Sequence, residues 1–328
     1  NGAGNAAGAQ LLEGRVYSNE YISLLHGNGV TTSPTFYVYT RDGYLYQVNF
    51  HETDPYRFPI SSNSLGLVDG NLNPIYRSED EVDFRRSADP STWDPDSLYH
   101  YEPQAPDFNQ LINNKVFFNP PNADLPNSAQ TTDLGTGIIH DTWLNTTVVN
   151  FEIDTIYFTG FDPDSVGCTP NTMETGSGGW FVFETNIGGQ IEIQLDLNEN
   201  DIFGEPDDRT IFGPVFGGLD SIFWDGLTSE GDSILVDADY KLKYRGLVQY
   251  AEIHISMTDI ENNNGGVTFQ LLNPPSGVNP DEFYYDHSDF DPANGVSGGG
   301  TPGNALPTTT PYTYMQNFGN DRLLDQWF

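Results

Sequence analysis

The chain has 328 residues, enough for two or three domains with cores of their own. Its 12 Lys and Arg against 47 Asp and Glu give a formal charge of −35, which repels nucleic acid and anionic membranes. An aromatic share of 13%, with abundant Val, Ile and Thr, argues against the disorder that such a charge would otherwise favour. Cys168 is the single cysteine, so no intramolecular disulfide forms and the fold rests on apolar burial, with metal as the available supplement. The 34 Gly and 22 Pro supply turn material for an all-β chain. No apolar run approaches the ~18 residues of a membrane-spanning helix, so no membrane insertion is expected. No signal segment stands out, and Asn1-Gly2-Ala3-Gly4 reads as a mature N-terminus left by processing. So large an acidic excess suits an exterior where salt or calcium screens it, which points to an extracellular protein.

Residues 1–10 (NGAGNAAGAQ) read as a flexible N-terminal arm. Strands are expected at 15–18, 21–25, 35–40 (TFYVYT) and 44–50 (YLYQVNF), the last two joined by an Arg41-Asp42-Gly43 hairpin turn. Residues 54–106 are crowded with Pro, Asp and Ser, with short strands expected at 65–68, 74–77 and 97–101. A strand at 115–118 before Asn119-Pro120-Pro121 closes a first β-sandwich domain, 11–118. A second, Ig-like sandwich is expected over 119–272, its strands at 137–140, 146–153, 154–159, 180–185, 189–195, 209–212, 220–224, 240–246, 250–258 and 267–272. In 250–258 (YAEIHISMT) alternation places Ile253 and Ile255 on one face and Glu252 and His254 on the other, with His254 expected to be partly exposed. A loop-rich C-terminal tail, 273–328, completes tandem sandwiches with long loops.

The best-defined chemistry is 196–208, DLNENDIFGEPDD. Oxygen side chains at Asp196, Asn198 and Asn200 alternate, Ile202 offers a carbonyl, and Asp207 or Asp208 closes the loop. Donors at positions 1, 3, 5, 7 and 12 can wrap one Ca²⁺, and Asp207 is twelfth from Asp196. Position 6, glycine in an EF-hand, is Asp201 here, a residue type that tolerates the left-handed conformation. The preceding GQIEIQL alternates as a strand, so a structural calcium loop on a β scaffold is expected; a polar hairpin loop shaped only by turn chemistry is the alternative.

The run DLNENDIFGEPDDRTIFG at 196–213, then SIFWDGL at 221–227, DIENNNGGV at 259–267 and FGNDRLLDQW at 318–327, resembles β-sandwich domains of very large surface adhesins and appendage proteins of gliding Bacteroidota exported by type IX secretion. The order WDGL, GDSI, YKLK also resembles the Ig-like domain of flagellar hook-capping proteins. The resemblance covers residues 110–328 best and implies a cell-surface structural or adhesive role, as a homo-oligomeric fibre or hook-like subunit or as one domain of a longer chain. It further implies O-glycosylation at Asp-Ser/Thr-apolar triplets, present at Asp96, Asp154, Asp164, Asp220 and Asp232, although turn chemistry alone also places Asp-Ser before strands. From the residues themselves, Trp224-Asp225-Gly226 reads as a structural turn: the Trp closes a core edge, Asp225 bonds the following backbone, and Gly226 takes positive φ.

No H-E-x-x-H or G-x-x-x-x-G-K stands in the chain, the six histidines lie far apart, and no catalytic residue is expected. A secreted carbohydrate-binding module is the competing class, with Tyr284, Tyr285, Tyr312 and Tyr314 as candidate glycan contacts. A second acidic run, 281–291, offers Asp286, Asp289 and Asp291 to a cation, but a solvated loop is the preferred reading.

Overall fold

The structure, a computed structural model, describes residues 13–24, 32–53, 57–79, 85–87, 89–108, 111–132, 136–149, 152–160, 169–170, 178–203, 205, 208–234, 241–249, 252–258, 266–286, 296–298, 312–314 and 323–328. Among them the regular elements are strands, apart from a short 3-10 turn at Pro90–Thr92. The chain folds into two units: unit 1 joins Asn1–Val149 to Ala251–Phe328, and unit 2 is Asn150–Tyr250.

The first part of unit 1 carries β1 (Tyr17–Ser18), β2 (Glu20–Leu24), β3 (Thr35–Tyr39), β4 (Leu45–Phe50), β5 (Arg57–Asn63) and β6 (Leu67–Asp69). It continues with β7 (Arg85–Ser87), β8 (Leu98–Tyr101), β9 (Lys115–Phe117) and the hairpin of β10 (Ser128–Thr132) and β11 (Ile139–Trp143). Unit 2 contains β12 (Ile153–Gly160), β13 (Thr169–Pro170), β14 (Gly179–Asp196), β15 (Arg209–Trp224) and β16 (Lys243–Gln249). The chain returns to unit 1 with β17 (His254–Thr258), β18 (Val267–Leu271), β19 (Tyr284–Tyr285), β20 (Val296–Gly298), β21 (Tyr312–Tyr314) and β22 (Leu323–Trp327).

Two five-stranded sheets dominate unit 1, in the orders β1-β9-β3-β4-β18 and β19-β22-β17-β5-β2. Alternation drives the first: Phe36 and Val38 of β3 and Tyr46, Val48 and Phe50 of β4 are buried, while their sequence neighbours are half-buried. Each such side chain contributes about 1.5–3 kcal/mol on full burial. The Arg41-Asp42-Gly43 turn joins them as expected, with the Gly43 N–H donating to Thr40 O at 3.1 Å and Gly43 at φ 83°. The two sheets meet across an apolar crevice lined by Tyr46, Ile253, Ile255, Phe269 and Phe283, and the Phe328 ring stands edge-on to Tyr46 with centroids 4.9 Å apart. On the other face of β5, the Ser61 hydroxyl meets His100 of β8 at 3.2 Å, tying in a third sheet, β6-β8-β7.

The all-β expectation holds. The two units are not consecutive, however: β17 pairs with β5, β18 pairs with β4, and β22 of the presumed tail pairs with β17. The structure therefore groups 251–272 and the tail with the first hundred and fifty residues, instead of dividing the chain at 118/119 and 272/273. Local pattern carries no information about which distant strand a strand pairs with. Residues 146–149, expected as strand, are not in one.

In unit 2, β14 is 18 residues long and central: its first half lies between β12 and β15, its second between β15 and β16. The sequence suggested two strands on each side of this hairpin, broken at glycines. The chain instead runs through, with a register shift between Thr185 and Gly188 opposite Gly217 and Gly218, both at positive φ. Phe158, Phe181, Phe183, Ile191, Ile193, Leu195, Val215 and Trp224 form its core. The Trp224-Asp225-Gly226 turn is built as expected. The fully buried Trp224 ring donates to Leu227 O at 3.0 Å, Asp225 Oδ1 accepts the Leu227 N–H at 3.0 Å, and Gly226 has φ 78°.

Candidate metal site

β14 ends on Asp196, which is fully buried and flanked by core Leu195 and Leu197. Its carboxylate folds the chain back on itself: Oδ1 accepts the Asn200 N–H at 3.1 Å and Oδ2 the Asp201 N–H at 2.8 Å. Asn198 Oδ1 also accepts from Asn200 N–H, at 3.2 Å, and Asn200 Oδ1 accepts the Ile202 N–H at 2.7 Å. Glu199 and Asp201 take left-handed conformations, φ 59° and 64°, so Asp201 does adopt the conformation that glycine has at the sixth position of a calcium loop. Asp208, also buried, closes the loop by accepting the Leu197 N–H and the Glu205 N–H, both at 3.1 Å. Asp207 lies outside the described residues.

Two participants were not read from the sequence. Glu205 Oε2 accepts from the side-chain amides of Asn198, at 3.3 Å, and Asn200. Lys243, on the neighbouring β16, brings its ammonium within 2.8 Å of Asp201 Oδ1, 3.1 Å of Glu199 O and 3.8 Å of Asp196 Oδ2. The hydrogen bond to Asp201 holds this ammonium above the usual lysine range, against the opposing effect of desolvation. Nothing in the run 196–208 announces Lys243; the alignment of β16 with β14, Lys243 opposite Asp196, brings it there.

The donors Asp196, Asn198, Asn200, Ile202, Glu205 and Asp208 are all oxygen ligands, the chemistry a hard cation takes. Their carboxylate and amide oxygens are met by N–H groups of the same loop and by Lys243, and among the described residues no three His, Cys, Asp or Glu side chains converge as a metal shell.

Other candidates fare differently. His254, expected to be partly exposed, is fully buried: its Nδ1 lies 2.9 Å from Asp325 Oδ2 and its Nε2 2.8 Å from Glu252 Oε1. Burial alone would lower its pKa, but the charges and hydrogen bonds of Asp325 and Glu252 outweigh this and raise it to about 10. The ring is closed in by Tyr76 and Trp327. Alternation predicted its side of the strand correctly but not that the β6-β8-β7 layer covers that side. Tyr285 is buried and Tyr284 stacks on Trp327, with ring centroids 6.4 Å apart. The side chains of Tyr312 and Tyr314, and Asp289 and Asp291, lie outside the described residues.

An aromatic face that sequence reasoning missed lies on the outward side of unit 2. Cross-strand pairing sets Thr159, Trp180 and Phe223 in one row and Tyr157, Val182 and Ser221 in the next. Tyr157, Trp180 and Phe223 are 39%, 38% and 45% exposed. The signal was the alternation WFVFET itself, which has aromatics on both faces.

No protein-family model, curated protein or solved structure matches the chain.

Proposed function

We propose that the protein is an extracellular structural or adhesive subunit of a cell-surface fibre or hook-like appendage, used for attachment and stiffened by one calcium ion at the Asp196–Asp208 loop. The observation that carries this reading is that loop. A buried carboxylate at its first position gathers the N–H groups of its fifth and sixth residues, the sixth is left-handed, and a second buried carboxylate closes it. Asp196, Asn198, Asn200 and Asp208 with the Ile202 carbonyl would hold the ion, and Glu205 would join them by giving up its amide partners. Binding to the folded loop alone adds stability of RT ln(1 + [Ca]/Kd), a few kcal/mol at saturating calcium. A charge of −35 supports a calcium-rich exterior, and the resemblance to adhesins of gliding bacteria supports the surface role and an Ig-like character of the sandwiches.

The test is thermal unfolding of the whole chain in millimolar calcium and in chelator, with metal content measured on the same sample. A rise in melting temperature with one calcium per chain supports the reading; no rise and no retained metal reduce the loop to turn chemistry.

The exposed face of Tyr157, Trp180 and Phe223 favours a second reading, a carbohydrate-binding module whose aromatic rings stack on sugar faces. Glycan-array binding abolished by Trp180→Ala with Phe223→Ala would select it; an array without signal would eliminate it.

A further inference from the structure

β22 is the last strand of the sequence, and it lies inside its sheet. It pairs antiparallel with β17 along Leu323–Trp327 and with β19 through Gln326 and Trp327. All five of its residues are buried. Phe328 then exchanges two backbone hydrogen bonds with Ile253, at 3.0 and 3.5 Å. Gln326 and Phe328 enter the apolar crevice between the two large sheets. Asp325 turns the other way, to His254 and to the Leu67 N–H at 3.3 Å, while its backbone N–H donates to Ser78 Oγ at 2.9 Å. Main-chain pairing on both sides, with pockets for alternate side chains, is how a sheet receives an added peptide strand.

The groove is selective. A one-residue slip flips every side chain of a strand to the opposite face. Here a slip would set Leu324 or Gln326 against the His254 side and leave the buried ring with Glu252 as its remaining carboxylate, which penalises any strand lacking an acid at that position.

The tether to this strand is long. Residues 287–322 separate β19 from β22 in sequence, and among them β20 pairs antiparallel with β21. The advantage of the chain's own strand is an effective concentration set by this connection, so a concentration of neighbours that approaches it shifts the balance toward exchange. Exchange needs no new contact, because every bond made within one chain is remade between two.

We propose that the groove between β17 and β19 receives residues 323–328 of a second copy, so that copies join into chains by exchanging their last strand, with Asp325 of each donor locked against His254 of the next. This rests on the reading of the protein as a homo-oligomeric surface subunit and supplies its mode of assembly.

The test uses the full chain with Cys168→Ser, Thr258→Cys and Leu323→Cys; residues 258 and 323 are Cα partners in the β17–β22 ladder. The protein is unfolded, refolded at rising concentration into the millimolar range, oxidised, and resolved without reductant. The expected result is an intrachain disulfide in dilute samples and a ladder of trimers and larger species in concentrated ones, reduced several-fold by adding Asp325→Asn. A chain with Leu323→Cys alone can reach only dimers and calibrates chance cross-linking. Intrachain disulfide alone at every concentration overturns the proposal, and so does the absence of any 258–323 disulfide. Independently of these variants, the unmodified chain refolded at high concentration and then diluted is expected to keep oligomers by light scattering; monomers alone overturn the proposal. Filaments without a ladder overturn strand exchange and leave the surface-fibre reading standing, whereas loss of calcium dependence overturns the loop assignment and leaves the exchange intact.

Discussion

Asp325 Oδ2 lies 2.9 Å from His254 Nδ1, and neither side chain has any solvent exposure. Breaking a buried pair by removing one partner typically costs about 3–5 kcal/mol, and here Glu252 Oε1, 2.8 Å from Nε2, remains to offset part of that cost. Asp325→Asn is expected to destabilise unit 1 by up to that amount in urea unfolding followed by near-ultraviolet signals.

The same pair sets a pH dependence. The folded pKa of His254, about 10, stands above its unfolded value of 6.5. Its stabilisation is therefore fully present below pH 6.5 and is lost as pH rises through 10. The melting temperature is expected to fall between pH 7 and 10, and the fall to flatten in Asp325→Asn. An equal slope in both proteins would assign the alkaline loss to other groups.

Gly66 gives a steric handle on this contact. At φ 66° it sits so close that a Cβ would stand 2.2 Å from both Asp325 Oδ2 and His254 Nδ1. The polar layer requires glycine there, both for the backbone angle and for the approach of the pair. Gly66→Ala is expected to destabilise by more than about 2 kcal/mol and to expose β22 to proteolysis before other strands. Unchanged stability would mean that the pair is not seated as the structure has it.

Asp42, in the β3–β4 turn, also loses stability as pH rises, but as a burial cost at neutral pH and not as a stabilising pair. Burial pushes its carboxyl up to about 6, against the lowering pull of Arg41. A raised folded pKa means that its favourable contribution is present below the unfolded value of 3.8 and lost as pH rises through 6, so at neutral pH the ionised form costs stability. Asp42→Asn removes that cost and keeps the turn chemistry. The expected gain is about 1–2 kcal/mol at pH 7.5, reduced for the solvent that still reaches the turn, and it shrinks at pH 3.5. A gain independent of pH would trace to turn propensity instead.

Local features were legible in the sequence because they are made by neighbours. The Arg41-Asp42-Gly43 turn, the Trp224-Asp225-Gly226 turn and the left-handed Asp201 each depend on residues a few positions apart, and each is built as expected. The partner of a strand is another matter. Nothing near Leu323 says that it pairs with Thr258, or that Val267 pairs with Phe50, and so the insertion of unit 2 into unit 1 was not foreseen. The same limit hid Lys243 and Glu205 from the loop and left His254 on a face expected to meet water.

Asp196→Ala with Asn198→Ala is expected to abolish the calcium dependence of melting, and Lys243→Met to act the other way. Its ammonium lies 3.8 Å from Asp196 Oδ2 and 2.8 Å from Asp201 Oδ1, occupying charge that a cation would otherwise satisfy. Removing it takes away a competing positive charge and should raise calcium affinity several-fold by titration calorimetry, with the gain diminishing as salt screens the site. Stability in chelator should fall at the same time, because Asp196 stays buried with its two N–H partners but without a cation nearby. Weaker calcium binding in Lys243→Met would instead mean that the lysine holds the loop in its binding shape through Glu199 O, which it meets at 3.1 Å.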